Sequence, residues 1–232
     1  MSFDKIIEKV KEPLADEKEI DMIEIGMLKY KDPKVETKAV EHIIKNTEHP
    51  FKLTVYDNRV NGKNLSKIWN KLIKESLCDY ICLINSDAYV PEKWLRSMFK
   101  TLREEDNCYL VVPRVDNTSC PQQQANKAED IEPTKLTTIF AAQCVLYDKK
   151  LFEKIGYFDE DFLFYGQDSE FGHRLLKSDC DGYVDNRVLV KHVGSHSINR
   201  AAKRGEYDKE LERFYAKKLF KIKTNESSTR RN

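Results

Sequence analysis

Asp79-Tyr-Ile-Cys-Leu-Ile-Asn-Ser-Asp-Ala-Tyr-Val-Pro-Glu-Lys-Trp94 holds an almost unbroken apolar run, Tyr80–Ile84, that passes straight into Asn85-Ser86-Asp87. An apolar run that short, closed by turn residues, reads as a central parallel strand buried on both faces. Asp87 then sits just past a strand's carboxyl end, where open α/β sheets bind their ligands. A carboxylate there is poised to hold a divalent cation together with a substrate's phosphates. The plainer role is a cap on the turn before Pro91.

Outward from this strand, β-type and helical-period runs alternate. Upstream, Ile20–Gly26 and Lys52–Tyr56 read as strands. Pro33–Asn46 reads as a helix with Val35, Ala39 and Ile43 on one face, and Asn64–Ser76 as another with Leu65, Trp69, Leu72 and Ile73 inward. Downstream come a helix over Glu92–Arg103 and a strand over Tyr109–Val112. After a break follow strand Phe140–Leu146, helices Lys149–Ile155 and Asp168–Lys177, strand Tyr183–Val190, and a helix near Tyr207–Phe220. This alternation predicts a single α/β domain, a mostly parallel sheet with helices on both faces. The break, Pro113–Lys135, is polar, lacks periodicity and carries Gln122, Gln123 and Gln124. Loops of that length are usually functional or disordered, and this one is expected to close over a ligand or to run over the surface.

With 232 residues, 40% apolar and 34% charged, the chain suits one hydrophobic core and excludes a disordered or collagen-like protein. Its apolar runs fall far below the ~20 residues that span a bilayer. The charged amino terminus lacks a secretory apolar segment, so the six cysteines read as reduced thiols in a cytoplasmic setting. Residues 1–19 form a charged amphipathic segment, expected to be a helix packing through Phe3, Ile6, Ile7, Val10 and Leu14. Residues 20–199 form the main domain, and 200–232 a basic helix and tail with eleven Lys/Arg against five Asp/Glu. That tail is either a solvated face or a patch for phosphate-rich partners, nucleic acid or acidic lipid.

Two further segments carry chemistry. In Gly156-Tyr-Phe-Asp-Glu-Asp-Phe-Leu-Phe-Tyr-Gly-Gln-Asp-Ser-Glu-Phe-Gly-His-Arg174, Asp168 opens a helix behind a Gly and an aromatic cluster. It is an N-cap or an acid–base residue. In Val190-Lys-His-Val-Gly-Ser-His-Ser197, His192 and His196 stand four apart, with Gly194 between them.

Together these segments, from about Ile20 to Ser197, resemble glycosyltransferase family 2, nucleotide-sugar enzymes with a GT-A fold and a Rossmann-like nucleotide-binding half. Asp57-Asn58 ends the second strand where that family places the acid that reads the base. Asn70 through Asp87 follows its pattern of Asn, apolar strand and Asn-x-Asp, and Pro91 and Trp94 fit the same signature. Gly156-Tyr-Phe-Asp-Glu and Gln167-Asp168-Ser169-Glu170 are similar to its Gly-Gly-Phe-Asp-Glu and Glu-Asp-x-Asp stretch, with Arg174 where its helix carries Arg. His192 with Ser195 or Ser197 resembles its closing motif. The first-strand turn, Met27-Leu28-Lys29-Tyr30-Lys31, departs from Thr-Tyr-Asn. Asn85, Leu72 and Gln167 replace an Asp, a Gly and a Glu.

The resemblance implies a donor site of Tyr30, Asp57, Asn58, Asn70 and Asn85, and a metal held by Asp87 and His192. A mixed carboxylate and imidazole set suits Mn²⁺ better than Mg²⁺. Asp168 would deprotonate an acceptor hydroxyl, and direct attack on the donor sugar inverts the anomeric centre. The favoured acceptor is a saccharide or other small molecule; the alternative is a hydroxymethylated base in DNA. A catalytically idle nucleotide-sugar binder would keep the cleft without turnover. A nucleotidyltransferase would need a Gly-rich phosphate loop after the first strand, where Gly26 stands alone. No motif specifies an oligomer.

Overall fold

The computed structural model describes residues 5–11, 21–29, 32–58, 64–163, 165–194 and 213–221. The strands are β1 (Lys5–Lys11), β2 (Ile23–Lys29), β3 (Phe51–Asp57), β4 (Tyr80–Asn85), β5 (Ala88–Tyr89), β6 (Cys108–Val115), β7 (Thr134–Lys135), β8 (Cys144–Asp148) and β9 (Asp181–His192). The helices are α1 (Pro33–Asn46), α2 (Leu65–Glu75), α3 (Trp94–Glu104), α4 (Lys150–Ile155) and α5 (Gln167–Leu176), with a terminal helix α6 over 213–221.

Local chemistry sets the helix starts. The Asp32 side chain accepts from the Val35 amide ahead of Pro33, and Asn64 caps α2 by accepting from the Lys67 amide at 2.9 Å. Strand alternation divides the core into two layers. Ile23, Ile25 and Met27 pack against α1 and α3 around the fully buried Trp94. Leu28, Ile81 and Leu83 face the other way, toward α2, α4 and α5.

The strands lie in the order β1-β3-β2-β4-β8-β6-β9-β5, with β7 also on β9. The expected mostly parallel sheet is in fact mixed. Parallel pairing joins β3 to β2, β2 to β4 and β6 to β9, whereas β8 lies antiparallel to both β4 and β6. Parallel neighbours need a crossover, usually a helix. The stretch from β6 to β8 contains no helix, and β8 enters from the opposite end. The parallel β3-β2-β4 half still brings its carboxyl ends to one edge.

Residues 5–11 also differ from expectation. They form a strand antiparallel to β3, with Val10 opposite Lys52. β3 would otherwise present an open edge, and β-branched Ile-Ile and Val segments suit such a place. The expected terminal helix is seen over 213–221; its first residues, 207–212, lie outside the described residues.

The polar segment after β6 is fastened down by its glutamines. The Gln122 amide donates to the Lys135 carbonyl, Gln123 joins Pro113 and Ala141, and Gln124 donates to the Asp116 carbonyl. Gln123 is fully buried. The segment expected either to close over a ligand or to run over the surface is held by these side-chain bonds.

Candidate active site

At the carboxyl edge of β2 and β4 lies a cleft of about 230 Å³. Asn85, Ser86 and Asp87 reach it from the end of β4, Asn58 from the end of β3, Gln143 and Tyr147 from β8 and its approach, Gln167 and Asp168 from the start of α5, and His192 from the end of β9.

Asp87 and His192, 105 positions apart in sequence by their numbers, meet because β5 pairs with the end of β9. Ala88 stands opposite His192, and the Val193 amide donates to the Asp87 carbonyl at 3.0 Å. The Asp87 Oδ1 lies 3.2 Å from His192 Nε2. A clamp from the end of β6 orients the imidazole. The Asp116 carboxylate accepts from the His192 amide at 2.7 Å, and the Asn117 carbonyl accepts from Nδ1 at 2.8 Å. A carbonyl only accepts, so Nδ1 carries a hydrogen and Nε2 is turned toward Asp87. Burial alone would lower the His192 pKa. The hydrogen bond and charge of Asp87, with the Asn117 carbonyl and Asp116, outweigh it and raise the value.

The two side chains fit a divalent cation as part of a coordination shell: one hard carboxylate oxygen and one imidazole nitrogen held in the ligating tautomer. Among the described residues no group of three His, Cys, Asp or Glu side chains could hold a metal alone. A cation on this pair would need further ligands, such as oxygens of a substrate or water.

Asp168 stands at the start of α5, behind Gly166, whose φ of +86° is a conformation glycine adopts without penalty. Its Oδ1 accepts from the Ser169 amide at 2.8 Å and its Oδ2 from the Ala142 amide at 3.3 Å. Burial raises its pKa from the ordinary value despite these bonds. A carboxyl shifted upward is a stronger base once ionised.

Among the other expected donor-site residues, Asn85 and Asn58 line the cleft. Asp57 is buried beside it, in register with Lys29. Asn70 lies away from the lining: its amide donates to the Phe158 carbonyl and its oxygen accepts from the Phe158 amide, fastening residues 158–160 to α2. Tyr30, Ser195, His196 and Ser197 lie outside the described residues.

Sequence reasoning missed Gln143, Tyr147 and the Asp116-Asn117 clamp. Gln143 was hidden inside an apolar run read only as a strand, and Tyr147 stood just past the end of that run. Asp116-Asn117 had a signal, since it repeats at the end of β6 the Asp-Asn that closes β3. Among the described residues, four polar groups on the cleft keep buried atoms without a hydrogen-bond partner: both amide atoms of Asn58, Gln143 Oε1, the Tyr147 hydroxyl and Gln167 Oε1.

The sequence model of "Glycosyl transferase family 2" matches residues 35–162. Chondroitin synthase of Escherichia coli is 23% identical over 181 residues, covering 61% of this chain and 26% of that protein. Hyaluronan synthase of Pasteurella multocida is 25% identical over 175 residues, covering 58% of this chain and 18% of that protein. The chain thus spans about a quarter or less of these relatives. Among solved structures, S. aureus TarS 1–349 in complex with UDP-GlcNAc aligns with a TM-score of 0.61 at 13% identity, covering 87% of this chain and 66% of that one. GalNAc-T7 with UDP, GalNAc and Mn²⁺ aligns with a TM-score of 0.57 at 10% identity, covering 76% and 44%. Both are likenesses of fold, and the fold is GT-A.

Proposed function

Because the chain belongs to glycosyl transferase family 2, we propose that it moves a sugar from a nucleoside-diphosphate sugar to an acceptor hydroxyl with inversion at the anomeric carbon. One observation carries the reading. A single cleft gathers a carboxylate–imidazole pair, a half-buried carboxylate of raised pKa and strand-end amides, each from a different element.

Each residue then has a task. Asn58 and Asn85, beside the ends of β3 and β4, bind and orient the donor. A divalent cation on Asp87 and His192, Mn²⁺ in preference to Mg²⁺, would supply the Lewis acidity that lets a diphosphate depart. Asp168 takes the proton of the acceptor hydroxyl as its oxygen bonds to the anomeric carbon. The bond from that carbon to the diphosphate oxygen breaks on the opposite side, and the electron pair leaves with the diphosphate. General-base help of this kind contributes roughly 10²–10⁴-fold. A saccharide acceptor is favoured, since two relatives are named for the chondroitin and hyaluronan they synthesise.

The test is a panel of nucleoside-diphosphate sugars scored for Mn²⁺-dependent hydrolysis and thermal stabilisation. One donor should stand out in both measurements. Stabilisation without any hydrolysis or transfer would favour an idle binder, and no response to any donor would overturn the proposal.

A further inference from the structure

Helix α6 lies beside the cleft and presents two different faces. Its inner face is seated: the Arg213 guanidinium lies over the Tyr165 ring at 5.3 Å, and Phe220 meets His173 edge-on at 5.6 Å. A Cβ added at Gly166 would stand 3.4 Å from Ala216. The outer face has a contrasting composition. Phe214, Lys217, Lys218 and Lys221 are three and four residues apart, so they form one side of the helix. Phe214 is 61% exposed and the neighbouring Tyr215 is 56% exposed. Residues 213–221 contain four basic side chains and no acidic one. The apolar patch continues across a groove to Leu163, 39% exposed.

We propose that this face docks the protein on an anionic membrane surface. Exposed aromatic rings set among lysines match the boundary between headgroups and acyl chains. The rings enter the apolar layer while the ammonium groups stay with lipid phosphates. Nucleic acid is the less suited partner: a duplex backbone offers exposed rings no apolar layer to enter, and unstacked bases would need a flat aromatic face. The Phe214 and Tyr215 rings meet at 69°, their centres 5.8 Å apart, and so offer each other's edges rather than a parallel stacking platform. The location gives the contact a use. Tyr165 lines both the groove under α6 and the cleft, so docking would bring the mouth of the cleft to the lipid surface.

The experiment is co-sedimentation of the full chain with phosphatidylcholine vesicles, with and without phosphatidylglycerol. Binding should require phosphatidylglycerol and weaken as salt rises. Lys217→Gln and Lys218→Gln should each lower partitioning about fivefold, the equivalent of ~1 kcal/mol per lysine near such a surface. The Phe214→Ser, Tyr215→Ser double variant should also release the protein while its circular dichroism stays unchanged. No affinity for the anionic vesicles, equal affinity for neutral ones, or retention unaffected by these four positions would overturn the proposal. So would binding to duplex DNA through the same lysines without vesicle binding. None of these measurements involves sugar transfer, so a negative result leaves the proposed reaction standing.

Discussion

Replacing Asp168 by Asn separates its two roles, a cap at the start of α5 and a base in the cleft. The amide oxygen can keep the 2.8 Å bond from the Ser169 amide. What is lost is the longer 3.3 Å bond from Ala142, a matter of ~0.5–1.5 kcal/mol. An opposing gain follows from the raised pKa. A carboxyl whose folded pKa lies above its unfolded value favours the fold fully below the unfolded pKa. That contribution is lost as pH rises through the folded value, so at neutral pH the ionised group is a burden that Asn removes. The two effects have opposite signs, and the melting temperature at pH 7 should stay within a few degrees of wild type or rise. Turnover should nevertheless fall roughly 10²-fold or more, with donor affinity nearly unchanged, because an amide cannot accept the proton. In the wild type, the acidic limb of kcat/KM should lie above the ordinary Asp range; in the variant it should vanish. Release of nucleoside diphosphate in the presence of acceptor, with calorimetry for donor binding, measures all of this. Near-wild-type transfer by Asp168→Asn would refute the assignment and direct attention to Glu170 or Asp161.

Asp87→Ala should leave circular dichroism unchanged, because the β5–β9 pairing uses the Asp87 backbone carbonyl, while Mn²⁺-dependent UDP binding by calorimetry falls at least tenfold. Unchanged affinity would remove Asp87 from the site. Asn58→Ala removes two buried amide atoms that have no partner among the described residues; stability should hold or improve while UDP affinity falls, and a loss of stability with unaltered affinity would make Asn58 structural. Gly166→Ala places a Cβ 2.9 Å from the Phe162 ring at a φ of +86°. It should cost ~1–3 kcal/mol and several degrees of melting temperature, and slow transfer by displacing Asp168.

Periodicity and capping made most of the fold legible. α1 runs from Pro33 to Asn46 as the residues predict, since Asp32, Pro33 and the apolar stripe all act locally. The errors lie where a distant partner decides. Nothing within Cys144–Asp148 reveals that it runs antiparallel between β4 and β6, because strand direction depends on a connection of some thirty residues. Lys5–Lys11 likewise reads as an amphipathic helix until the open edge of β3 is known. The glutamines at 122–124 carried no signal either, since each bonds to backbone made near only by tertiary folding. In the site, Asp87 and Asp168 could be located because strand ends and helix starts are local features. Gln143 and Tyr147 could not, because a polar group within an apolar strand becomes informative only when its burial and lack of a partner are seen.

Those unpartnered groups bear on why the cleft is arranged as it is. A buried donor or acceptor without a partner costs about 1–3 kcal/mol, and a native domain carries few. Here Asn58, Gln143, Tyr147 and Gln167 all place such atoms around one cavity. The surrounding packing offers no structural return for this: the Tyr147 ring is fully buried among Phe152, Phe158 and Phe171, where a phenylalanine would pack equally well without an orphaned hydroxyl. Polar groups that weaken the fold yet converge on one cleft are explained if a ligand rich in hydroxyl, phosphate and amide groups satisfies them. Tyr147→Phe makes the point testable. It should raise the melting temperature of the free protein and shrink the additional stabilisation conferred by donor, in opposite directions and by similar amounts. A Tyr147→Phe protein less stable than wild type would mean that the hydroxyl already serves the fold, and this account of the cleft would fail.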